Sequence, residues 1–229
     1  MAKRAILALT VAALLTGSAF ANPTVMVNRL SGQYSGTGGE ITLTPNQELQ
    51  DVTAETGPYS SFCIEKMEYV YMYATYDVRL AVEAVNGGIN YGPTGPLGGD
   101  ALDPFTAYVY TQFRNGTLAG YDYTVGAGRA ASAGALQDVI WYLEDEGGKT
   151  WTDGDDSLQD RFYTDAVNSG WTDIGNVRVL NLYLKGHLGD PCYQAQDQLV
   201  LAAVPAPGAI ILGSLGTLLV GWLRRRKVM

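Results

Sequence analysis

The chain has 229 residues, 47% of them hydrophobic, and its 23 Asp and Glu outnumber 15 Lys and Arg to give a net charge of −8. All the acidic residues lie between positions 22 and 203, where only nine basic ones join them, so that part carries −14. A surface of this sign repels nucleic acid and anionic lipid, which argues against a nucleic-acid role.

Lys3 and Arg4 form a basic start, residues 5–15 an apolar run, and Ala19-Phe20-Ala21 a small-x-small cleavage site. That order predicts a signal peptide over 1–21 with Asn22 as the mature N-terminus, an uncleaved anchor being the alternative. Residues 22–203 are long enough for one domain with a sizeable core. Residues 24–30, 39–44, 62–73 and 76–85 are rich in β-branched and aromatic side chains and predict strands. A Gly/Pro-rich loop follows over 86–103, either a mobile surface loop or partly paired.

The middle reads as helical. Asp103-Pro104 is an N-cap with Pro at the first helical position, and Asn115-Gly116 is a stop. Leu136, Val139, Ile140 and Leu143 repeat at helical spacing, with Gly147-Gly148 as the expected end. Glu144, Asp145 and Glu146 would then oppose the helix dipole, and solvent exposure is the simplest expectation for them. Residues 158–167 predict a third helix, and strands return at Val177–Leu184 and 198–203. The expected class is α+β: one exported domain of β-sheet or barrel with a helical middle.

At the other end, Pro205-Ala206-Pro207 precedes an apolar run over 208–223, and Arg224, Arg225, Arg226 and Lys227 follow. Sixteen residues is short against the roughly 20 that span a bilayer. Even so, the run has no polar face, and the basic cluster fixes a cytoplasmic side. Motif, span and basic stop together resemble the PEP-CTERM sorting signal, which membrane peptidases called exosortases read in bacteria that make extracellular polysaccharide. The resemblance covers the last 25 residues, with Ala206 where that family usually has Glu. It implies an exported protein of the cell surface or matrix, held by one C-terminal span before processing, with an exosortase-like peptidase as partner.

The exported part has two cysteines, Cys63 and Cys192. In an oxidising compartment a pair of this kind reads as a disulfide, worth about 3–5 kcal/mol in the chain-entropy model. Phe62-Cys63-Ile64-Glu65 and, far downstream, Leu136-Gln137-Asp138-Val139-Ile140-Trp141 offer a second reading. The two segments resemble the paired signatures of bacterial thioester domains of surface adhesins. Ala107-Tyr108-Val109-Tyr110, the segment from Gly175 to Leu182 and Ala195-Gln196-Asp197-Gln198-Leu199 are similar to exported PEP-CTERM proteins carrying such a domain, so the likeness spans most of 59–203.

The resemblance implies that Cys63 is the sulfur and Gln137 the acyl partner of an internal thioester, shielded by Ile140 and Trp141. In that family the thiol attacks the carboxamide and expels ammonia, and an external amine later opens the product to a stable amide. An amide is a poor acyl donor in water, so the thiol must be held against it; orientation of that kind can supply about 7–11 kcal/mol. A Cys63–Cys192 disulfide and a Cys63–Gln137 thioester exclude each other, and the sequence leaves both open. Covalent adhesion to an amine-bearing surface or matrix ligand stands beside a non-covalent structural or binding role in the envelope.

Other chemistry is weaker. His187 is the lone histidine and would have to serve any Cys63–His187 hydrolase; it lies in a Gly-flanked turn. Asp153-Gly154-Asp155-Asp156 has carboxylates at close spacing but lacks the later Glu of a calcium loop, and reads as a turn or N-cap. Asn115-Gly116-Thr117 matches a glycosylation sequon but reads as a helix end. No turnover enzyme, nucleotide cofactor or essential metal is expected.

Overall fold

The computed structural model describes residues 22–36, 38–85 and 99–203. The expected signal peptide, most of the Gly/Pro loop and the whole sorting signal, with its 208–223 span, lie outside them. Among the described residues no helix is long and apolar enough to cross a membrane.

Among the described residues, ten strands and four helices follow in chain order. The first half holds β1 (Thr24–Asn28), β2 (Tyr34–Ser35), β3 (Gly38–Gly39), β4 (Ile41–Pro45), α1 (Gln47–Gln50), β5 (Tyr59–Ser61), β6 (Thr75–Ala81) and β7 (Glu83–Ala84). After them come β8 (Asp100–Ala101), α2 (Pro104–Asn115), α3 (Ala127–Leu143), α4 (Leu158–Asn168), β9 (Val177–Leu184) and β10 (Gln194–Leu201). Six strands form one antiparallel sheet in the order β10-β9-β6-β1-β4-β5. The sheet curls so that its two outer strands approach: Leu199 N–H donates to Phe62 C=O and Ile64 N–H to Asp197 C=O, both at 3.1 Å.

Alternation along the strands sorts side chains between two cores. Val177 and Val179 of β9, with Phe62 and Ile64, face the helices and join Leu136, Val139 and Phe162. Leu180 and Leu182 face the inside of the curl with Val25, Val27, Leu43 and Cys63. Asp103 caps α2 by accepting from Phe105 N–H at 2.6 Å, and Gly116 ends that helix at φ 72°, a left-handed conformation suited to glycine.

Several sequence expectations shift. The strand expected over 62–73 is limited to a single bridge, Cys63 opposite Gln198. Beyond it the backbone leaves the ladder: Tyr71 N–H donates to the Tyr76 hydroxyl at 2.7 Å, and Tyr73 is left-handed at φ 63°. The strand expected over 39–44 breaks at Glu40, whose buried carboxylate takes two bonds from Arg129, at 2.6 and 2.8 Å, and one from Tyr121 at 2.6 Å. The loop after residue 85 is paired in part, since β8 pairs with β7.

The acidic run after the second predicted helix is the clearest correction. The helix α3 ends at Leu143, before Gly147-Gly148, and Glu144 and Glu146 are buried rather than solvated. Glu144 accepts from Asp103 N–H at 3.2 Å and Glu146 from Lys66 N–H at 3.1 Å, so the run ties the end of α3 to two other segments. Burial, reinforced by the nearby Asp103 and Asp100, pushes the Glu144 carboxyl up to about 8. Largely neutral at pH 7, it no longer opposes the helix dipole.

Candidate functional site

The site lies on the seam of the curled sheet. The Phe62–Ile64 segment is stitched to β10 there, and α3 crosses beside it. The first half of α3, rich in Ala and Gly, lets the short β2–β3 hairpin lie close: a Cβ on Gly134 would stand 3.1 Å from Ser35 Cβ, and one on Gly38 only 2.7 Å from Gln137 Cγ. The Arg129–Glu40 pair anchors the base of that hairpin to the first turn of α3.

Gln137 is fully buried and Cys63 nearly so. The carboxamide pairs with the cysteine backbone at two points: Cys63 N–H donates to Gln137 Oε1 at 3.2 Å, and Gln137 Nε2 donates to Cys63 C=O at 2.7 Å. The sequence-predicted partners, 74 residues apart, are therefore in contact. Ile140 is buried in the helical core one turn on. Trp141 stands against Gly38, its ring edge 3.0 Å from where a Cβ would be.

Two openings flank Trp141. One, of about 380 Å³, is lined by Cys63, Gln196, Trp141, Tyr34, Lys66 and Met67 among others. The second, of about 300 Å³, lies on the other side with Ser35, Gly134 and Asp138. Cys63 is thus buried yet borders a cavity large enough for a small amine. At the mouth the Arg29 guanidinium sits 3.4 Å over the Tyr34 ring and Lys66 Nζ 5.4 Å from the Trp141 ring.

The sulfur itself touches residues that sequence reasoning did not assign to the site. Cys63 Sγ–H donates to Gln196 Oε1 at 3.0 Å, and Gln198 Nε2 donates to Sγ at 3.4 Å. Burial pushes the thiol up to about 12; the Gln198 bond works the other way, and the charge of Glu65 adds to the rise. At neutral pH Cys63 is a protonated thiol. Behind it Glu65 and Asp197 are both buried and pushed well above the ordinary carboxylate range, by burial first. The one available signal was Gln196-Asp197-Gln198, three polar residues inside a strand otherwise built to be buried.

The remaining candidates fall elsewhere. Both cysteines are free: Cys192 is exposed on the helical turn Pro191–Tyr193, and Cys63 is interior. His187 stacks on Tyr193 with ring centroids 3.7 Å apart and does not line the Cys63 cavity, which leaves a Cys63–His187 pair without support. Asp155 accepts from Thr152 and Ser157 N–H, Asp156 pairs with Arg161 and Asp153 with Lys149, as in a solvated turn leading into the Ser157 cap of α4. Among the described residues no cluster of His, Cys, Asp and Glu is arranged to hold a metal. Thr117 Oγ1 bonds back to Gln112, closing the helix end at the sequon.

No family model matches the sequence, and no curated protein does. Among solved structures, the N-terminal thioester domain of a surface protein from Clostridium perfringens is similar over 79% of this chain and 98% of its own length, with a TM-score of 0.44 at 11% identity.

Proposed function

We propose that this chain is an exported surface protein whose Cys63 and Gln137 condense to an internal thioester that amines can open. The observation that carries the reading is the two-point pairing of the Gln137 carboxamide with the Cys63 backbone in a buried site bordering a cavity. In the first step Sγ attacks Gln137 Cδ, an S–C bond forms, and the C–N bond breaks. The thiol proton leaves with the amide nitrogen as ammonia. Charge developing on Oε1 meets the Cys63 N–H already directed at it, as a donor of an oxyanion hole does. In the second step an amine attacks the acyl carbon, giving an amide on Gln137 and returning the thiol. Each site reacts once, so this is adhesion and not turnover.

The sorting half of the reading rests on sequence. A signal peptide over 1–21 directs export of the 22–203 domain, and the 204–229 segment places it in the membrane for an exosortase-like peptidase. Its elements are Pro205-Ala206-Pro207, the 208–223 span and the basic stop from Arg224 to Lys227. The ligand would be an amine-bearing molecule of a surface or matrix.

The protonated thiol and its bond to Gln196 favour a second reading, in which the same contacts are structural and the protein binds without covalent chemistry. Intact mass of the secreted domain without reductant separates the two. A mass lower by one ammonia, converted by methylamine to its adduct, supports the thioester. An unaltered mass sinks it, and a mass lower by two hydrogens identifies a Cys63–Cys192 disulfide instead.

A further inference from the structure

The register of β10 against β9 slips between Ala195, opposite Leu182, and Gln198, opposite Leu180, which inserts one extra residue on β10. Bulges of this kind re-aim side chains beside functional sites. Here the bulge is pinned by Asp197, whose carboxylate accepts from Leu182 N–H at 3.0 Å, Asn181 Nδ2 at 2.7 Å and Val85 N–H at 3.1 Å. It turns Gln196 and Gln198 together onto the Cys63 sulfur.

We propose that this bulge is a thiol cradle, in which Gln196 and Gln198 are positioning residues that direct Cys63 Sγ and stabilise its thiolate as the proton leaves. Each amide has its orientation fixed. Gln196 Nε2 donates to Glu65 C=O at 2.6 Å, so Oε1 is the end that faces the sulfur and receives its proton. Gln198 Nε2 donates both to Gln196 C=O at 3.3 Å and to the sulfur. Among the described residues its Oε1 is left buried without a partner, in a residue that is 0% exposed. An unpaired buried oxygen is destabilising, and an apolar side chain would avoid it. The amide is therefore better explained by its bond to sulfur than by packing. Gln196 holds the resting S–H; Gln198 supplies the N–H that the sulfur anion needs.

The inference rests on Cys63 being the nucleophile of the site, and its test does not require that the thioester form. In full-length protein carrying Cys192→Ser and Gln137→Ala, the only thiol is Cys63 and no acyl partner is present. Its alkylation by iodoacetamide, small enough for the cavity, is followed from neutral to strongly alkaline pH. Gln198→Met is expected to slow alkylation about tenfold at a given pH by moving the whole profile upward. Gln196→Met removes the acceptor that holds the protonated thiol and should move the profile the other way, downward. Gln198→Asn keeps an amide but shortens its reach, and should shift the profile in the same direction if the methionine variant does not fold. A parental profile in the folded Gln198 variants overturns the cradle. Absence of the ammonia loss in protein with Gln137 intact overturns only the covalent reading.

Discussion

Gly38 lies so close over Gln137 that a side chain at position 38 would collide with the Gln137 Cγ, at 2.7 Å, and with the edge of Trp141. Gln137 cannot easily give way, because its carboxamide is held at both ends by Cys63. Gly38→Ala should therefore lift the β2–β3 hairpin from α3 and lower stability by about 1–3 kcal/mol, as overpacking does. Urea unfolding measures the loss, and faster reaction of the site with a small amine probe would report the opened cover.

The Gln137–Cys63 pairing makes its own prediction. Gln137→Glu keeps the shape but removes the Nε2 donor, leaving Cys63 C=O unpaired beside a buried acid. A loss of about 1–3 kcal/mol is expected from the broken bond, together with complete loss of fluorescent-amine labelling. Labelling that survives the substitution would place the acyl group elsewhere.

Arg129 forms a two-pronged pair with the fully buried Glu40, and Tyr121 bonds the same carboxylate. Arg129→Met leaves that charge uncompensated, which typically costs about 3–5 kcal/mol. Denaturant titration should show the drop. Arg129→Met with Glu40→Gln together should recover part of it.

Glu144 gives a pH dependence. Its folded carboxyl titrates at about 8, above the ordinary value of 4.5, so the folded state holds the proton more tightly than the unfolded chain. Its contribution is complete below the unfolded value and is lost as pH rises from there through about 8, by at most about 1.4 kcal/mol per pH unit. Stability should fall across this window and Glu144→Gln should flatten the fall, as read from Tm against pH.

The two cysteines should be kinetically distinct. Cys192 is exposed and Cys63 is buried with its thiol pushed up to about 12. A thiol reagent at neutral pH should modify Cys192 quickly and Cys63 far more slowly, with peptide mapping assigning each. Equal rates would mean that Cys63 is not enclosed as described.

Much of this was legible from the chain. The Asp103-Pro104 start and Gly116 stop of α2 came from local capping chemistry, and β9 from its alternating apolar residues. The meeting of Cys63 with Gln137 was readable only through the paired motifs, because contact across 74 residues leaves no periodicity. The start of α3 was hidden: Gly126 offers no side-chain cap, and its Ala- and Gly-rich turns lack an apolar stripe because β2 and β3 pack on them. Glu144 and Glu146 misled because charge predicts solvent unless a buried backbone N–H awaits it. Gln196 and Gln198 were missed because a bulge, and not strand alternation, turns them onto the sulfur.

The seam between Phe62–Ile64 and β10 also decides where tension would travel. A partner joined covalently through Gln137 and a tether attached beyond Ala203 would pull on α3 and on the end of β10. The load would enter at Gln137 on α3 and cross to the Phe62–Ile64 segment through the two bonds between Gln137 and Cys63. From there it would reach Ala203 along β10, whose bonds to β9 lie across that direction and share the force as shear. The other four strands of the sheet would be bypassed, so mechanical strength would depend on the hold of α3 on the seam and on the β9–β10 pair, and not on the stability of the whole domain.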